Sequence, residues 1–298
     1  MLTATPAWPA LPVAGWADTL ATLHMWTQVV GKIRLAQTPL INQFWNVPLY
    51  VSARGLTTSA MPCGQRSFEI EFDFIAHQLH IRCSDGAARQ LALAPRSVAD
   101  FYHEVQRLLH ELGLEVKIWP MPVEVKNPIR FPDDTQHASY DPEAAHRFWQ
   151  ALTLMTPVLT EFRSGFTGKC SPVHFFWGSF DIAVSRFSGR PAPVKPDADS
   201  ITREAYSQEV ISHGFWPGGS GQEAAFYAYC VPAPEGFAEA PVQPEAAYYS
   251  TELGEFLLPY ETVRTAADPA AALHEFLQST YAAAAELAGW DRAALERA

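Results

Sequence analysis

The chain has 298 residues, of which 48% are apolar and 18% are charged, and its formal net charge is -11. This balance excludes an intrinsically disordered chain, which combines low hydrophobicity with dense charge. The acidity argues against nucleic acid as a partner, because binding to phosphates needs a basic surface. The length allows one large domain or two of about 100–200 residues.

The first half predicts a helix, an antiparallel meander of about four strands and a second helix. Apolar residues at spacings of three and four predict a helix over Trp16–Ala36. The first of these strands is expected near Val47–Ala53. Ser97 is placed to cap the second helix, and Gly113 is placed to end it.

The clearest strand pattern is a hairpin in which apolar and charged residues alternate over 68–83. A two-residue turn at 76–77 would set Phe74 opposite Leu79 and Phe72 opposite Ile81. The apolar residues then share one face and the charged residues share the other, as cross-strand pairing requires.

Weaker patterns lie between the two halves. Val116–Trp119 and Val123–Lys126 are predicted as short strands, and the proline-rich segment Asn127–Tyr140 is the best candidate for a linker. We therefore expect two halves, 1–135 and 136–298, packed as one globule.

The second half repeats this plan, so the predicted fold class is α+β, with mainly antiparallel sheets packed by long helices. Asp141-Pro142 and Asp268-Pro269 are typical helix starts. The predicted strands lie near Val173–Phe187, Tyr206–Phe215, Glu223–Val231 and Ala246–Thr251. A duplicated helix–four strands–helix unit would explain the repeat, and a chance likeness between two α+β halves would explain it equally well.

Two of these strands predict a ligand pocket in the second half. Along a regular strand over 173–187, Trp177 and Asp181 share one face with small residues, and a bulge at Gly178 would bring His174 onto it. In the predicted strand over 223–231, Glu223, Tyr227 and Tyr229 share one face. The glycine-rich loop at 213–221 carries Trp216 as an aromatic lid. These four residues complete the candidate pocket.

This pocket has a simpler alternative, in which surface carboxylates and amphipathic tyrosines face solvent and the glycine-rich loop is a plain connector. If the pocket exists, Asp181 and Glu223 would do acid–base work or, as the one metal alternative, hold a divalent ion. No zinc, nucleotide or hydrolase motif is present, so no cofactor is assigned.

A second polar feature lies on the first helix. His24, Gln28 and Lys32 recur every four residues, on a face away from the apolar stripe. This pattern is typical of a solvated helix face, and the alternative is a polar stripe that lines a cleft.

Several segments of the chain resemble a bacterial family of unknown function. The most specific is the run FFWGSFDIAVSRFSGR at 175–190, and the resemblance extends over nearly the whole chain. Similar segments are found at 8–16, 23–34 and 214–217. The resemblance implies that Trp177, Asp181 and Glu223 belong to a pattern that recurs in the family. It also implies that the polar stripe on the first helix belongs to a second recurring pattern. The family has no assigned activity, so it implies no catalytic residues.

Compartment and partners follow from composition and charge. Segment 1–15 lacks the basic start and apolar run of a secretory signal, and no stretch reaches the ~18–20 apolar residues of a membrane span. The cysteines are scattered without a C-x-x-C pair, which predicts reduced thiols in a cytoplasmic protein. Residues 150–298 hold 9 basic and 18 acidic residues, which favours a neutral or cationic small molecule as ligand.

Two functional hypotheses remain open at this point. One is a small-molecule-binding protein or enzyme with the pocket described above. The other is a non-catalytic interaction module, monomeric or homodimeric, whose nine Trp and 24 Pro would form an apolar contact surface.

Overall fold

The structure, a computed structural model, describes residues 7–193, 197–219 and 221–297. It has the predicted α+β fold. The α-helices are α1 (Ala17–Gln37), α2 (Val98–Glu111), α3 (Pro142–Ser164), α4 (Ser200–Ala205), α5 (Tyr260–Arg264), α6 (Pro269–Leu287) and α7 (Arg292–Leu295). The strands are β1 (Tyr50–Val51), β2 (Gly55–Thr57), β3 (Met61–Cys63), β4 (Arg66–Asp73), β5 (Gln78–Cys83), β6 (Ala88–Ala92), β7 (His174–Phe176), β8 (Asp181–Pro191), β9 (Gln208–Trp216), β10 (Ala225–Val231), β11 (Tyr248–Ser250) and β12 (Glu255–Pro259).

The chain forms two compact units. The α1 unit comprises Val13–Trp149 and His174–Asp181, and the α6 unit comprises the segment up to Pro12, Gln150–Val173 and everything from Ile182 onwards. The units do not follow a single cut at residue 135, because segment 136–149 and the turn before β8 group with the α1 unit. Within the described residues each half contains six strands rather than about four, and the duplication stays a prediction.

The long helices begin where the sequence predicts. Ser97 caps α2 by accepting a hydrogen bond from the Asp100 N–H at 3.1 Å. Asp268 caps α6 through the Ala271 N–H at 3.0 Å. These side chains satisfy N–H groups that have no partner inside the helix, which fixes the start of each helix.

The sheet of the α1 unit is antiparallel in the order β1-β2-β4-β5-β6, with β3 also paired to β4. The predicted register is wrong by two residues: Phe72 pairs with Leu79 rather than with Ile81, because the turn 74–77 has four residues. The Asp73 carboxylate closes this turn by accepting two backbone N–H groups, at 2.9 and 2.8 Å. Because a shift of two keeps every side chain on its face, the predicted core face of β4 is correct.

Three segments differ from the predictions. Val116–Trp119 and Val123–Lys126 form no strands. Asn127–Tyr140 is not a linker, because Phe131 and Asp134 are fully buried in the α1 unit. The expected strand over 173–187 is interrupted by a turn between β7 and β8.

The sheet strands of the α6 unit follow the order β11-β12-β10-β9-β8, all antiparallel. The three strands predicted after residue 205 are confirmed with shifted ends, and β12 was missed. Two predicted features lie partly outside the described residues. They are the glycine-rich loop, at Ser220, and the N-terminal segment without a secretory signal, at residues 1–6.

The core of the α6 unit contains a buried cation, Arg186, which is 1% exposed. Its guanidinium carbon lies 3.5 Å from the centre of the Phe162 ring and 4.2 Å from that of Tyr281, and an N–H donates to the Phe162 carbonyl. Burial lowers the pKa of Arg186 to about 10. Aromatic faces stabilise this charge, and the charge of Glu296 contributes as well.

Candidate functional site

The polar stripe on α1 is enclosed by protein. Gln28 is fully buried, Lys32 is 6% exposed and His24 is partly buried. A solvated helix face is therefore excluded for these three residues. The segments that cover the stripe are the loop around Val123 and the turn between β7 and β8.

Gln28 holds the loop to α1. Its amide oxygen accepts the Val123 N–H at 2.8 Å, and its amide nitrogen donates to the Val123 carbonyl at 2.8 Å. This paired bond satisfies both polar ends of a fully buried amide, which would otherwise carry a large desolvation cost. It also fixes the position of the next residue, Glu124.

His24 holds the turn to α1. Its Nε2 lies 2.7 Å from the Gly178 carbonyl oxygen, and because a carbonyl only accepts, Nε2–H donates. Burial lowers the pKa of His24, and the hydrogen bonds to the backbone at Gly178 and Trp177 oppose this shift only in part. His24 is therefore a neutral donor in the folded protein near neutral pH.

The turn itself depends on a close approach to α1 at Gly31. A Cβ at this position would overlap the Trp177 indole, so a larger residue would push the ring away. The indole N–H donates to the Val47 carbonyl at 2.8 Å. After Trp177 the chain reverses through Phe180, which has φ +61° and whose N–H donates to the Phe176 carbonyl at 2.8 Å.

Two carboxylates meet at this turn. Asp181, at the start of β8, is 6% exposed and accepts a hydrogen bond from the Ser179 hydroxyl. Glu124 approaches from the loop, and a Cβ added at Gly178 would lie 2.5 Å from its Oε1. Burial raises the pKa of Glu124, and the nearby charge of Asp181 raises it further. Both causes disfavour the ionised form of Glu124.

Glu124 is also solvent-accessible. The neighbouring protein, including Gly178, still desolvates its carboxyl group in part. Glu124 has φ +57°, which is a strained conformation for a residue with a side chain. Such strain concentrates at functional sites.

An Asp–His pair lies within electrostatic reach of His24. The Asp134 Oδ2 and the His137 Nδ1 are 2.7 Å apart, and Asp134 Oδ1 accepts the N–H of His137 at 3.2 Å. Asp134 is fully buried. A buried carboxylate bound to Nδ1 orients the ring and leaves Nε2 free to exchange a proton, as in hydrolytic triads.

The sequence-predicted site residues fall into both units. His174, Trp177 and Asp181 belong to the α1 unit, where the structure brings Trp177 and Asp181 together with the stripe on α1. His174 is fully buried, with its ring 4.5 Å from that of Phe176. The regular strand face assumed for these residues is wrong, because the turn separates Trp177 from Asp181.

The other predicted residues, Glu223, Tyr227, Tyr229 and Trp216, lie in the α6 unit. Tyr227 and Tyr229 stack at 6.0 Å between ring centres, and Glu223 is exposed. Tyr229 lines a cavity of about 380 Å³ together with Tyr206, whose hydroxyl lies 3.2 Å from its own.

Sequence reasoning missed Glu124, Asp134 and His137. Glu124 lies in an irregular loop without periodicity, so no pattern marks it. Asp134 and His137 are three residues apart, a spacing that fits a local Asp–His pair, but their segment has the composition of a linker.

No metal centre of the usual kind is built from the described ranges, because no three His, Cys, Asp or Glu side chains come together there. In the same ranges no helix is both long and apolar enough to cross a membrane.

Comparison with known protein families matches residues 8–297 to a family of unknown function, DUF5996. The chain belongs to this family. Neither the curated proteins nor the solved structures contain a match. The DUF5996 match covers both units, including the whole of the site on α1.

We predict that Gly31→Ala destabilises the protein, although alanine favours a helix over glycine by about 1 kcal/mol. The added Cβ would overlap Trp177, and such overpacking costs about 1–3 kcal/mol. Gly165→Ala is the control, since its Cβ would meet other atoms only at 3.6 Å and beyond. Chemical denaturation measures both, and a stabilised Gly31→Ala would contradict the close approach.

We predict that Glu124→Gln stabilises the protein at neutral pH. Because the pKa of Glu124 is raised in the folded state, stability is lost as pH rises from the unfolded value through the folded one. Glutamine does not titrate, so the gain in melting temperature should be clear near pH 7 and small near pH 4. The exposed Glu223→Gln should change little at either pH. An equal effect of Glu124→Gln at both pH values would exclude this cause.

Proposed function

We propose that the protein binds a small molecule in the cleft at Glu124 and Asp181 and acts on it by acid–base chemistry. The observation that carries the proposal is that Glu124 and the buried Asp181 both lie beside the turn at Gly178. The pKa of Glu124, which burial and the charge of Asp181 raise, supports it. Carboxyl groups with perturbed pKa values in a cleft are typical of catalytic sites.

The two carboxylates would have different roles. Glu124, whose raised pKa favours the protonated form, is suited to protonate a ligand atom. Asp181, which accepts the Ser179 hydroxyl, is suited to carry the negative charge that stabilises a developing cation or accepts a proton. Paired carboxyl groups in unlike environments divide the acid and base roles in this way.

Other groups would position the ligand. His24 and Gln28 fix the backbone at Gly178 and Val123. These bonds hold the segments that carry the two carboxylates in place. The Asp134–His137 pair supplies a second proton-exchanging group nearby. Pre-positioned groups of this kind contribute to rate because they need no reorganisation during the reaction.

The ligand should be neutral or cationic. Two carboxylates form the core of the site, and no cation pairs with Glu124 in the ranges that the structure describes. The proposal keeps Trp177 and Asp181 from the sequence-based pocket and replaces Glu223 by Glu124. We further propose a cytoplasmic location, which the free thiols of Cys63, Cys83, Cys170 and Cys230 support.

The experiment is a thermal-shift screen with neutral and cationic metabolites, followed by calorimetric titration of any hit. A ligand at 100 times its Kd should stabilise the protein by about 2.7 kcal/mol. Glu124→Gln and Asp181→Asn should weaken binding or abolish turnover, whereas Glu223→Gln in the α6 unit should leave both unchanged. A ligand whose binding depends on Glu223 and not on Asp181 would overturn the assignment.

An interaction module is the second candidate function. Trp119 is 72% exposed and lies in the same loop as Glu124, and exposed aromatic residues are enriched at protein interfaces. If this function holds, the ligand screen finds nothing, and Trp119→Ser changes the sedimentation or partner binding of the protein.

A further inference from the structure

The α6 unit holds a cavity of about 380 Å³ between α4 and the face of its sheet that carries Tyr229. We name it the tyrosine pocket, because the rings of Tyr206 and Tyr229 line it. Small-molecule sites commonly have volumes of about 300–1,000 Å³ and a mostly apolar lining with a few polar groups. Among the described residues that line this pocket, the charged ones are Arg203 and Glu255, which have opposite signs.

The register of β10 and β12 fixes the floor of the pocket. Tyr227 pairs with Leu257, so Tyr229 and Glu255, each two residues further along in the paired direction, lie side by side on the same face of the sheet. Tyr227 stacks on Tyr229, and its hydroxyl lies over Gly214, where a Cβ would come within 2.4 Å of the oxygen. The two tyrosine rings of β10 therefore form a fixed row across the sheet.

Helix α4 forms the wall of the pocket. The Asp199 carboxylate caps this helix by accepting two backbone N–H groups of its first turn, at 2.8 and 2.9 Å. Arg203 and Tyr206 are three residues apart, a spacing that places two side chains on the same side of a helix. The Tyr206 hydroxyl lies 3.2 Å from that of Tyr229, and this hydrogen bond joins the wall to the floor.

The two charged groups of the pocket do not pair with each other. Arg203 is exposed and donates to the Ala198 carbonyl at 2.9 Å, and no carboxylate pairs with it in the ranges that the structure describes. Glu255 is half-buried. A ligand with a single charge would pair with one of these groups and meet a like charge at the other, which costs affinity. A ligand with both charges and an apolar body matches the whole lining.

We propose that the tyrosine pocket binds a zwitterion with an apolar body, the class to which free aromatic amino acids belong. Its carboxylate pairs with Arg203, whose planar fork of N–H groups matches a carboxylate. Its ammonium group pairs with Glu255, and its ring packs against Tyr206 and Tyr229. The pocket belongs to the α6 unit alone, so it does not rest on the acid–base function proposed for the α1 unit.

The test is calorimetric titration of the intact protein with free L-phenylalanine and with three analogues that each lack one feature. L-Alanine lacks the ring, 3-phenylpropanoate lacks the ammonium group and 2-phenylethylamine lacks the carboxylate. We expect L-phenylalanine to bind saturably and each analogue to bind at least about tenfold more weakly, because a charged hydrogen bond or the burial of a ring is lost. If L-phenylalanine does not bind saturably, or if an analogue binds as tightly, the proposal is overturned.

Arg203→Gln and Glu255→Gln assign the two charges. Arg203→Gln should weaken the binding of L-phenylalanine by about tenfold or more but not that of 2-phenylethylamine. Glu255→Gln should weaken the binding of L-phenylalanine but not that of 3-phenylpropanoate. The control is Glu252→Gln, at an exposed residue in the turn beside the pocket, which should bind L-phenylalanine like the wild type.

Two further outcomes would overturn the proposal. One is that both pocket variants bind L-phenylalanine like the wild type, and the other is that Asp181→Asn in the α1 unit removes the binding. Either result would place the ligand outside the tyrosine pocket. The comparison of the four ligands uses the wild-type protein, so it does not depend on whether a variant folds.

Discussion

The close approach of the Trp177–Asp181 turn to α1 is the contact on which the site depends. It needs glycine at position 31, because any side chain there would occupy the space of the indole ring. Once the ring is seated, the His24 bond to the Gly178 carbonyl fixes the backbone that follows. Asp181 and Glu124 are held close together as a result, since Glu124 packs on the same glycine.

The same arrangement works against stability. Partial burial and the charge of Asp181 disfavour the ionised form of Glu124. Glu124 and Phe180 also adopt a left-handed backbone conformation that side chains disfavour. Proteins keep such features where function requires them, and replacing them commonly stabilises the fold.

Much of the fold was predictable because local patterns determine it. Apolar spacing located α1, α2 and α3, and Asp–Pro or Ser caps located the starts of α2, α3 and α6. The hairpin register failed because the Asp73 carboxylate closes a longer turn, which only tertiary geometry reveals. Likewise, the reversal at Phe180 cannot be read from the sequence, since a phenylalanine with positive φ contradicts its own preference. Trp177, Asp181 and the α1 stripe were found from their polarity, whereas Glu124 lies in a loop that carries no pattern.

The most direct test of the central claim is an NMR titration of the Glu124 carboxyl carbon in the wild-type protein and in Asp181→Asn. If the two carboxylates are coupled in a desolvated cleft, the midpoint for Glu124 lies above the ordinary value of about 4.3 and falls when Asp181 loses its charge. A midpoint at the ordinary value in both proteins would contradict the account.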